Sequence, residues 1–395
     1  GYDRMNPRRL AKIAGFPEGE PYDPEKLEAV RKRLRRSGVF SAITLTEAEA
    51  LGPGDTLDVE LAVVEQKPRR IGGGFELSNE NGARLSAYWL HRNLLGGGER
   101  LRIDGSVSDI GARNSGRDYA LNLRVERPAM ITADTTAFVE TGAARLREPD
   151  YDYDIGHLGI GFTRIYSDRL TAELGLRYQI GRYRDETGKY TFRLLSLPVS
   201  ATWDQRDNMT DAKRGYWLSG ELVPFYGFGE TGSGAQIKAE ARGYFTPGGY
   251  DRLTLAGRVR LGSVIGPDLV DTPRDFLFYS GGGGTVRGQA YQALGAEVLT
   301  SEDGAPVKTG GMSLATLSAE ARYQLREKIG VVGFFDMGQV WTEGAFGGDS
   351  DWHSGAGIGL RYATPIGPIR FDLGVPVHGG TKDKVQLYLG LGQAF

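Results

Sequence analysis

The chain has 395 residues, of which 59 are glycine and 25% are charged, and it contains no cysteine. The absence of cysteine excludes disulfides and thiol catalysis, and the formal net charge of −2 provides no basic surface for nucleic acid. Glycine at about twice its ordinary frequency favours tight turns and kinked strands over a helical enzyme. No run of about 18 apolar residues predicts a membrane-spanning helix, but barrel strands, apolar at every second position, would leave no such run.

The first 67 residues predict a small α+β domain. Its main helix begins at Pro24, is capped by Asp23 and ends before Gly38, an arrangement favoured at helix termini. The apolar stripe of this helix is formed by Leu27, Val30 and Leu34. A shorter helix and two strands complete the domain, at Pro7–Ala14, 40–48 and 56–65.

The main helix carries a basic cluster: Arg31, Lys32, Arg33, Arg35 and Arg36. A charge run on a helix is usually a solvated face, and Glu28 stands four residues before Lys32, at the spacing of a helical ion pair. We therefore interpret the cluster as a solvated face with a Glu28–Lys32 pair, rather than as a binding surface.

The order helix, helix, strand, strand is joined by the segment LRRSGVF at 34–40. This arrangement resembles a polypeptide-transport-associated (POTRA) domain that lacks its usual first strand. The resemblance implies that residues 1–67 are the last POTRA domain of a longer protein.

From about Arg69 the sequence changes to segments of roughly ten residues in which apolar and polar positions alternate, as in strands that cross a bilayer at a tilt. In the closing segment, Leu387, Leu389 and Leu391 share one face, and Phe395 continues the series. About sixteen such segments predict a mainly β fold, a sixteen-stranded antiparallel transmembrane barrel over 68–395 with a long loop inserted at about 265–312. Alternation alone would also fit a soluble sandwich.

Loop lengths favour the barrel over the sandwich. Connections after even-numbered strands are short, as at 127–129 and 167–168, whereas those after odd-numbered strands are mostly longer, as at 109–117 and 182–189. Short turns on one side and long loops on the other are typical of outer-membrane barrels. The small domain then lies on the short-turn, periplasmic side.

The long loop contains four consecutive glycines at 281–284, followed by an arginine between further small residues. An arginine flanked by glycines in a long loop indicates a segment that inserts into another part of the protein. Alternation along the twelfth and thirteenth strands places Glu320 and Asp336 in the lumen, where an inserted arginine would form strong charge-assisted pairs. The predicted loop latch comprises Val286, Arg287, Gly288, Asp336 and, as second candidate partner, Glu320. A role for Arg287 as a purely stabilising pin stays open.

A second candidate element is the seam at which the first barrel strand meets the last. Glycine weakens a strand by about 0.5–1 kcal/mol relative to alanine, so a seam rich in glycine would open most easily. Glycines that only relieve crowding in the lumen are the alternative explanation. The predicted seam comprises Gly72, Gly73, Gly74, Leu389, Gly390, Leu391, Gly392 and Phe395.

Four segments carry a further family resemblance. They are VRG at 286–288 with Tyr291, FFDMGQVW at 334–341, DQRDN at 204–208 with Gly215, and PIRFD at 368–372. With the POTRA-like start, they resemble the outer-membrane protein assembly superfamily that includes BamA, TamA and the two-partner-secretion translocators. The third segment forms a predicted periplasmic turn with the motif residues Asp204, Arg206, Asp207, Asn208 and Gly215.

Within that superfamily, the segments at 281–295 and 389–393 are most similar to the TamA family, the barrel subunits of translocation and assembly modules. Gln289, Ala290 and Met209 depart from the usual pattern. The resemblance implies a Gram-negative outer-membrane protein, with its POTRA domain in the periplasm, that inserts client outer-membrane proteins into the lipid bilayer. It also implies autotransporter-like clients, a TamB-like periplasm-spanning partner, a latch at Arg287 and a lateral gate at the seam.

Two other functions stay open at this point: a two-partner-secretion translocator that exports an extended polypeptide through the lumen, and a passive outer-membrane channel. No enzyme is predicted, because the histidines lack metal-ligand spacing and the glycine cluster lacks the Gly-Lys-Ser/Thr ending of a phosphate-binding loop. We therefore predict no catalytic residue, metal, cofactor or nucleic-acid partner.

Overall fold

The computed structural model describes the chain at residues 4–78, 82–112, 116–148, 150–248, 252–300, 304, 306–365, 367–379 and 385–395. A small α+β domain comes first, and its elements are α1 (Pro7–Ala14), α2 (Pro24–Ser37), β1 (Phe40–Glu47) and β2 (Val59–Glu65). The side chain of Asp23 accepts a hydrogen bond from the backbone N–H of Glu25, and Gly38 ends α2 in the left-handed conformation. The domain core is formed by apolar residues of both helices and both strands, including Ile13, Val30, Leu34, Phe40 and Val63.

The remaining strands, in chain order, are β3 (Arg69–Ser78), β4 (Gly82–Arg92), β5 (Arg100–Ile110), β6 (Asp118–Arg127), β7 (Thr135–Arg147), β8 (Asp152–Ile165), β9 (Leu170–Asp185), β10 (Gly188–Ser196), β11 (Val199–Asp204), β12 (Gly215–Gly227), β13 (Gly234–Phe245), β14 (Leu253–Ile265), β15 (Ala296–Thr300), β16 (Pro306–Thr309), β17 (Ser313–Arg326), β18 (Ile329–Trp341), β19 (Ser350–Tyr362), β20 (Ile369–His378) and β21 (Gln386–Leu391). All except β15 and β16 form one closed antiparallel barrel. Both β10 and β11 pair with β9 and β12, so they are two halves of one strand interrupted at Leu197 and Pro198. The predicted sixteen-stranded barrel is confirmed.

The outer face of the barrel is apolar and exposed, as in β8, where Leu158, Ile160 and Phe162 point outward. The inward face holds buried charged residues, as at Glu320 and Asp336. This arrangement is typical of a barrel in a membrane, because the apolar outer face can contact lipid while the charged residues stay in the lumen. Among the described residues, no helix has the length and apolar character needed to cross a membrane.

The long connection between β14 and β17 folds back into the lumen instead of extending away from it. It contains a short 3₁₀ turn at Arg274–Phe276 and the antiparallel pair of β15 and β16. Apolar residues of the connection pack against the inward faces of the wall; among them are Leu269, Phe276 and Leu277 of the loop and Leu194, Phe225 and Val264 of the strands. Burial of this apolar surface holds the base of the loop inside the barrel.

The predicted Glu28–Lys32 pair is wrong, and the basic helix face is only partly solvated: Lys32, Arg35 and Arg36 are exposed, but most of the cluster is engaged in ion pairs. Arg33 and Arg36 both bind the carboxylate of Asp134, in the turn between β6 and β7, at 2.9 and 2.6 Å. Lys32 binds Asp168 in the turn between β8 and β9, and Glu28 pairs with Arg31 instead of Lys32. Burial raises the pKa of the Asp134 carboxyl, but the hydrogen bonds and charges of the two arginines outweigh it, so the pKa lies below its ordinary value. The cluster docks the small domain on the periplasmic turns.

The prediction that Phe395 continues the outward face of the last strand is also wrong. Leu387, Leu389 and Leu391 are exposed, but the strand ends at Leu391 and Gly392 adopts a φ of +91°. The chain then turns inward, and the Phe395 ring is buried, at 7% exposure, against Ala212, Tyr244 and Ala256. Phe395 therefore belongs to the lumen and not to the outer seam.

Candidate functional site

The tip of the long loop is shaped by glycines whose backbone no other residue could adopt easily. Gly288 has a φ of +92°, and a Cβ atom there would lie 2.4 Å from the carbonyl oxygen of Val375. Gly281 has a φ of +121°, and its N–H donates to the Thr285 hydroxyl at 2.7 Å. This tight path brings the loop against β19 and β20 and aims Arg287 at the wall.

Arg287 contacts three carboxylates at once. Its Nε and Nη2 donate to the two oxygens of Asp336 at 2.7 and 3.1 Å, the bidentate geometry that binds most strongly. Its Nη1 donates to Glu320 at 2.6 Å and to Asp372 at 3.2 Å. The guanidinium also lies 3.7 Å from the centre of the Phe334 ring, and 4% of the side chain is exposed. The loop tip is therefore anchored by a buried, fully engaged cation.

Two wall arginines complete this cluster. Arg322 donates from Nε to Glu320 at 2.8 Å, and Arg361 donates from Nη1 to Asp372 at 2.5 Å. Together with Arg287 and Asp336 they form a set of three arginines and three carboxylates, here called the lumen ion network. Arg370 lies beside this network, 3.9 Å from Asp372. Each of the three carboxylates thus has a cationic partner, which matters because an unpaired buried ion costs several kcal/mol.

The structure brings together the residues of the predicted latch. Arg287 contacts Asp336 and Glu320, Val286 is fully buried, and Gly288 donates its N–H to the Tyr388 hydroxyl at 3.1 Å. Sequence reasoning missed Asp372 and Arg361. Alternation with the exposed Leu360, Tyr362 and Phe371 places both on the lumen face, but it does not predict that the loop reaches Asp372. The latch role of these contacts stays a prediction.

At the seam, β3 and β21 meet over a short stretch. Among the described residues, β21 pairs with β3 at Leu77 and Ser78, whereas β4 pairs with β3 along its whole length from Arg69 to Ser78. The periplasmic half of β3 is left with an edge on which no described strand pairs. Ile71 and Phe75 of this half are 77% and 53% exposed.

The seam glycines have two different surroundings. A Cβ atom on Gly72 would lie 2.3 Å from the Tyr88 ring, so this glycine makes room for an aromatic side chain in the lumen. A Cβ atom on Gly390 would lie 3.1 Å from the Arg370 guanidinium, a less severe contact. Gly73 and Gly74 face only atoms of Ser86. The crowding is therefore greatest at Gly72, and all three β3 glycines lie on the half of the strand whose outer edge has no described partner.

The periplasmic turn between β11 and β12 is held by its own motif residues. Arg206 binds both oxygens of Asp204 at 2.9 and 2.7 Å. Asp207 accepts from the backbone N–H groups of Lys213 and Arg214, and the Asn208 side chain accepts from those of Thr210 and Asp211. At Gly215, a Cβ atom would lie 2.1 Å from the Gln205 carbonyl oxygen. These contacts fix a rigid turn below the lumen.

Glu148, just beyond β7, contacts the loop at the opposite, outer end of the barrel. Its carboxylate accepts from the Tyr291 hydroxyl at 3.2 Å. Burial, together with the negative charges of Asp118 and Asp109, raises the pKa of Glu148 to about 8. Among the described contacts it has no cationic partner, so ionisation of this group works against loop docking.

We expect Glu148→Gln to stabilise the protein at pH 9 and to leave its stability unchanged near pH 4. Because the folded-state pKa is raised, the cost of ionising Glu148 is absent below its ordinary pKa of 4.5, grows as the pH rises, and is complete above about 8. The gain has an upper bound of about 5 kcal/mol. Thermal unfolding across this pH range measures it, with the exposed Glu186→Gln as a charge-matched control. Equal gains for both variants would contradict the assignment.

A sixteen-stranded barrel with an apolar exterior, a loop anchored inside it by an arginine and a small domain docked on its short turns define an outer-membrane barrel of the POTRA-bearing class. Residues 93–395 match the Omp85 superfamily domain, and residues 1–66 match a POTRA family described as surface antigen variable number repeat. The chain therefore belongs to the Omp85 superfamily. The protein lies in the outer membrane of a Gram-negative bacterium, with its POTRA domain in the periplasm.

Known proteins similar to this chain include outer membrane protein assembly factors. BamA of Nitratidesulfovibrio vulgaris is 25% identical over 382 residues, which cover 92% of this chain and 46% of that protein. BamA of Neisseria meningitidis serogroup B is 22% identical over 432 residues, with 94% and 52% covered. The chain thus spans about half the length of these relatives.

Solved structures give the same fold. BamA from Haemophilus ducreyi lacking POTRA domains 1–3 has a TM-score of 0.78 at 17% identity, with 98% of this chain and 82% of that chain covered. CdiB from Acinetobacter baumannii has a TM-score of 0.67 at 13% identity, with 99% and 72% covered. These matches show the fold, and the narrower assignment to the TamA family stays a prediction.

Proposed function

We propose that this protein is an assembly factor that inserts client outer-membrane proteins into the bilayer by pairing their strands with the free edge of β3. The observation that carries the proposal is the seam, where β21 pairs with β3 at Leu77 and Ser78 among the described residues. A strand edge with unpaired N–H and C=O groups is a template for a further strand. The Omp85 relatives named as assembly factors support this choice.

The geometry of the edge suits a client that is itself a barrel strand. Ile71 and Phe75 are exposed on the outer face, and Gly72 and Gly74 alternate with them on the lumen face. An added strand would continue both faces, with its apolar residues beside Ile71 and Phe75. It would then enter the bilayer sideways without passing its polar backbone through lipid, which the membrane interior does not tolerate. In this proposal the seam acts as a lateral gate.

We further propose that the protein is TamA-like, with autotransporter-like clients and a TamB-like periplasm-spanning partner. The segments at 281–295 and 389–393 support this narrower assignment, through their resemblance to that family. Co-purification of the protein from its native membrane tests it. Recovery of a large periplasm-spanning partner is expected, and recovery of the other components of a BamA-type complex would contradict it.

Site-specific crosslinking tests the insertion function. A cysteine-specific crosslinker at Phe75→Cys is expected to capture the terminal strand of a client during insertion. The control is Leu121→Cys, which is similarly exposed but lies on β6, a strand paired on both sides. Equal capture at both positions would contradict the proposal.

The same experiment separates the two other candidate functions. Capture only inside the lumen, for example at Glu221→Cys on β12, would favour a two-partner-secretion translocator. No capture at any position would favour a passive channel.

A further inference from the structure

The last residues of the chain, 392–395, are held inside the lumen by specific contacts, and we call them the tail. Gln393 accepts a hydrogen bond from Arg361 Nε at 2.9 Å and donates from Nε2 to Asp211 Oδ1 at 2.8 Å. Arg322 Nη2 donates to the main-chain oxygen of Phe395 at 3.1 Å. The tail is therefore bound through both its side chains and its backbone.

The ring of Phe395 packs against a different part of the wall from the seam. Its apolar surroundings are Ala212, Tyr244 and Ala256, from the β11–β12 turn and from strands β13 and β14. Two guanidinium groups face the ring, those of Arg258 at 5.1 Å and of Arg322 at 5.3 Å. Such a site fixes an aromatic residue by burial and by cation–π attraction together.

The position of the tail matters because of the register of the seam. Leu389 lies opposite Leu77, and Tyr388 lies opposite Ser78. Continuing this antiparallel register would place Leu391 opposite Phe75 and Gln393 opposite Gly73. A tail released from the lumen would thus pair with the same edge of β3 that a client strand needs.

The residues that hold the tail also belong to the lumen ion network. Arg361 binds Asp372 as well as Gln393, and Arg322 binds Glu320 as well as Phe395. Both carboxylates are also partners of Arg287. Glu320 therefore links Arg287 of the loop to Arg322, and Asp372 links Arg287 to Arg361. Each of these two wall arginines in turn binds the tail.

We propose that Arg361 and Arg322, with Asp211, are positioning residues that hold the tail in the lumen and so keep the edge of β3 free for a client strand. This inference rests on the proposed insertion function and adds a competitor for the same edge. Because Arg361 and Arg322 share their carboxylates with Arg287, the loop tip and the tail are anchored to the same ion network. A tail released from these arginines closes the seam.

A disulfide between Phe75→Cys and Leu391→Cys reports on closure of the seam, because these two outward positions become partners only when the register of β3 and β21 extends.

The variants weaken the contacts of the tail. Asp211→Ala removes one tail contact. Arg361→Lys keeps the charge beside Asp372 but lacks the second nitrogen donor that reaches Gln393. Each is expected to raise the disulfide yield roughly fivefold, as the loss of one hydrogen bond allows. Asp211→Asn, whose amide oxygen can still accept from Gln393, is expected to restore the original yield. Lys213→Ala, an exposed change in the same turn, is the matched control.

The same variants are then tested for client capture at Phe75→Cys alone. The inference predicts that Asp211→Ala and Arg361→Lys lower capture, while Asp211→Asn and Lys213→Ala leave it unchanged. Unchanged disulfide yield and unchanged capture in the two weakened variants would overturn the inference and leave the insertion function intact. Absence of capture with the original tail would instead overturn the insertion function. The two failures are thus distinguishable.

Discussion

Arg287→Ala is expected to release the long loop from the lumen and to lower the free energy of unfolding by about 3–5 kcal/mol, the usual cost of removing one partner from a buried ion pair. The change leaves Asp336 without an ion-pair partner among the described residues, whereas Glu320 and Asp372 keep Arg322, Arg361 and Arg370. The carboxylate side chains of the network are almost fully buried. The free energy of unfolding is measured by urea titration, in which folded and unfolded barrels are separated by their different mobility in gel electrophoresis. Cleavage by an added protease within 281–295 measures release of the loop.

Two variants make this result specific. Arg145→Ala removes a cation from an exposed pair with Asp154 on the outer face of β7 and β8, and such a pair contributes less than about 1 kcal/mol. Arg287→Lys keeps the charge but cannot reach three carboxylates from one ammonium group, so an intermediate loss is expected. If Arg287→Ala unfolds at the same urea concentration as the unchanged protein, with its loop equally protected, the anchoring role of Arg287 is contradicted.

Closing the seam with a disulfide between Leu77→Cys and Leu389→Cys is expected to abolish client insertion, and reduction is expected to restore it. These residues lie directly opposite each other in the register, at a separation from which a disulfide forms with little backbone movement. The covalent bond prevents the two strands from parting to admit a third. The measurement is the rate at which a client becomes protease-resistant in vesicles containing the oxidised or the reduced protein.

A bond of the same kind elsewhere in the wall is the control for the locked seam. Leu121→Cys with Ala143→Cys joins β6 to β7, which pair along most of their length, and is expected to leave insertion unchanged. Insertion by the locked protein at the rate of this control would show that clients do not enter through the seam. Unchanged ion conductance in both oxidised proteins is expected, since neither bond narrows the lumen.

Much of the fold follows from local patterns in the sequence. Alternation and turn spacing define the strands because the apolar and polar faces of a strand are set by residues within that strand. The ends of α2 follow in the same way from Asp23 and Gly38. Asp336 could be assigned to the lumen for the same reason, since its neighbours Phe335 and Met337 occupy the other face. In such cases the physical cause lies within a few residues of the effect.

The predictions that failed depend on contacts between distant parts of the chain. The basic face of α2 finds Asp134 about a hundred residues later, and only the docking of the two domains brings them together. Phe395 leaves its strand because Arg322 and the β11–β12 turn bind the tail, which no pattern in the last strand reveals. Asp372 joins Arg287 only when the loop reaches the depth that the wall permits.

The docking of α2 determines which part of the barrel would receive a force applied to the small domain. The small domain is fixed to the turns that follow β4, β6 and β8, by Arg9 at the carbonyl groups of Gly97 and Ala129 and by the ion pairs to Asp134 and Asp168. All of these turns lie on the side of the wall that begins with β3. A pull applied from the periplasm would therefore be transmitted to one flank of the cylinder, while the flank that carries Arg287's carboxylates stays in place. A force on the small domain would thus act across the seam, where the two flanks are joined by few backbone pairs among the described residues.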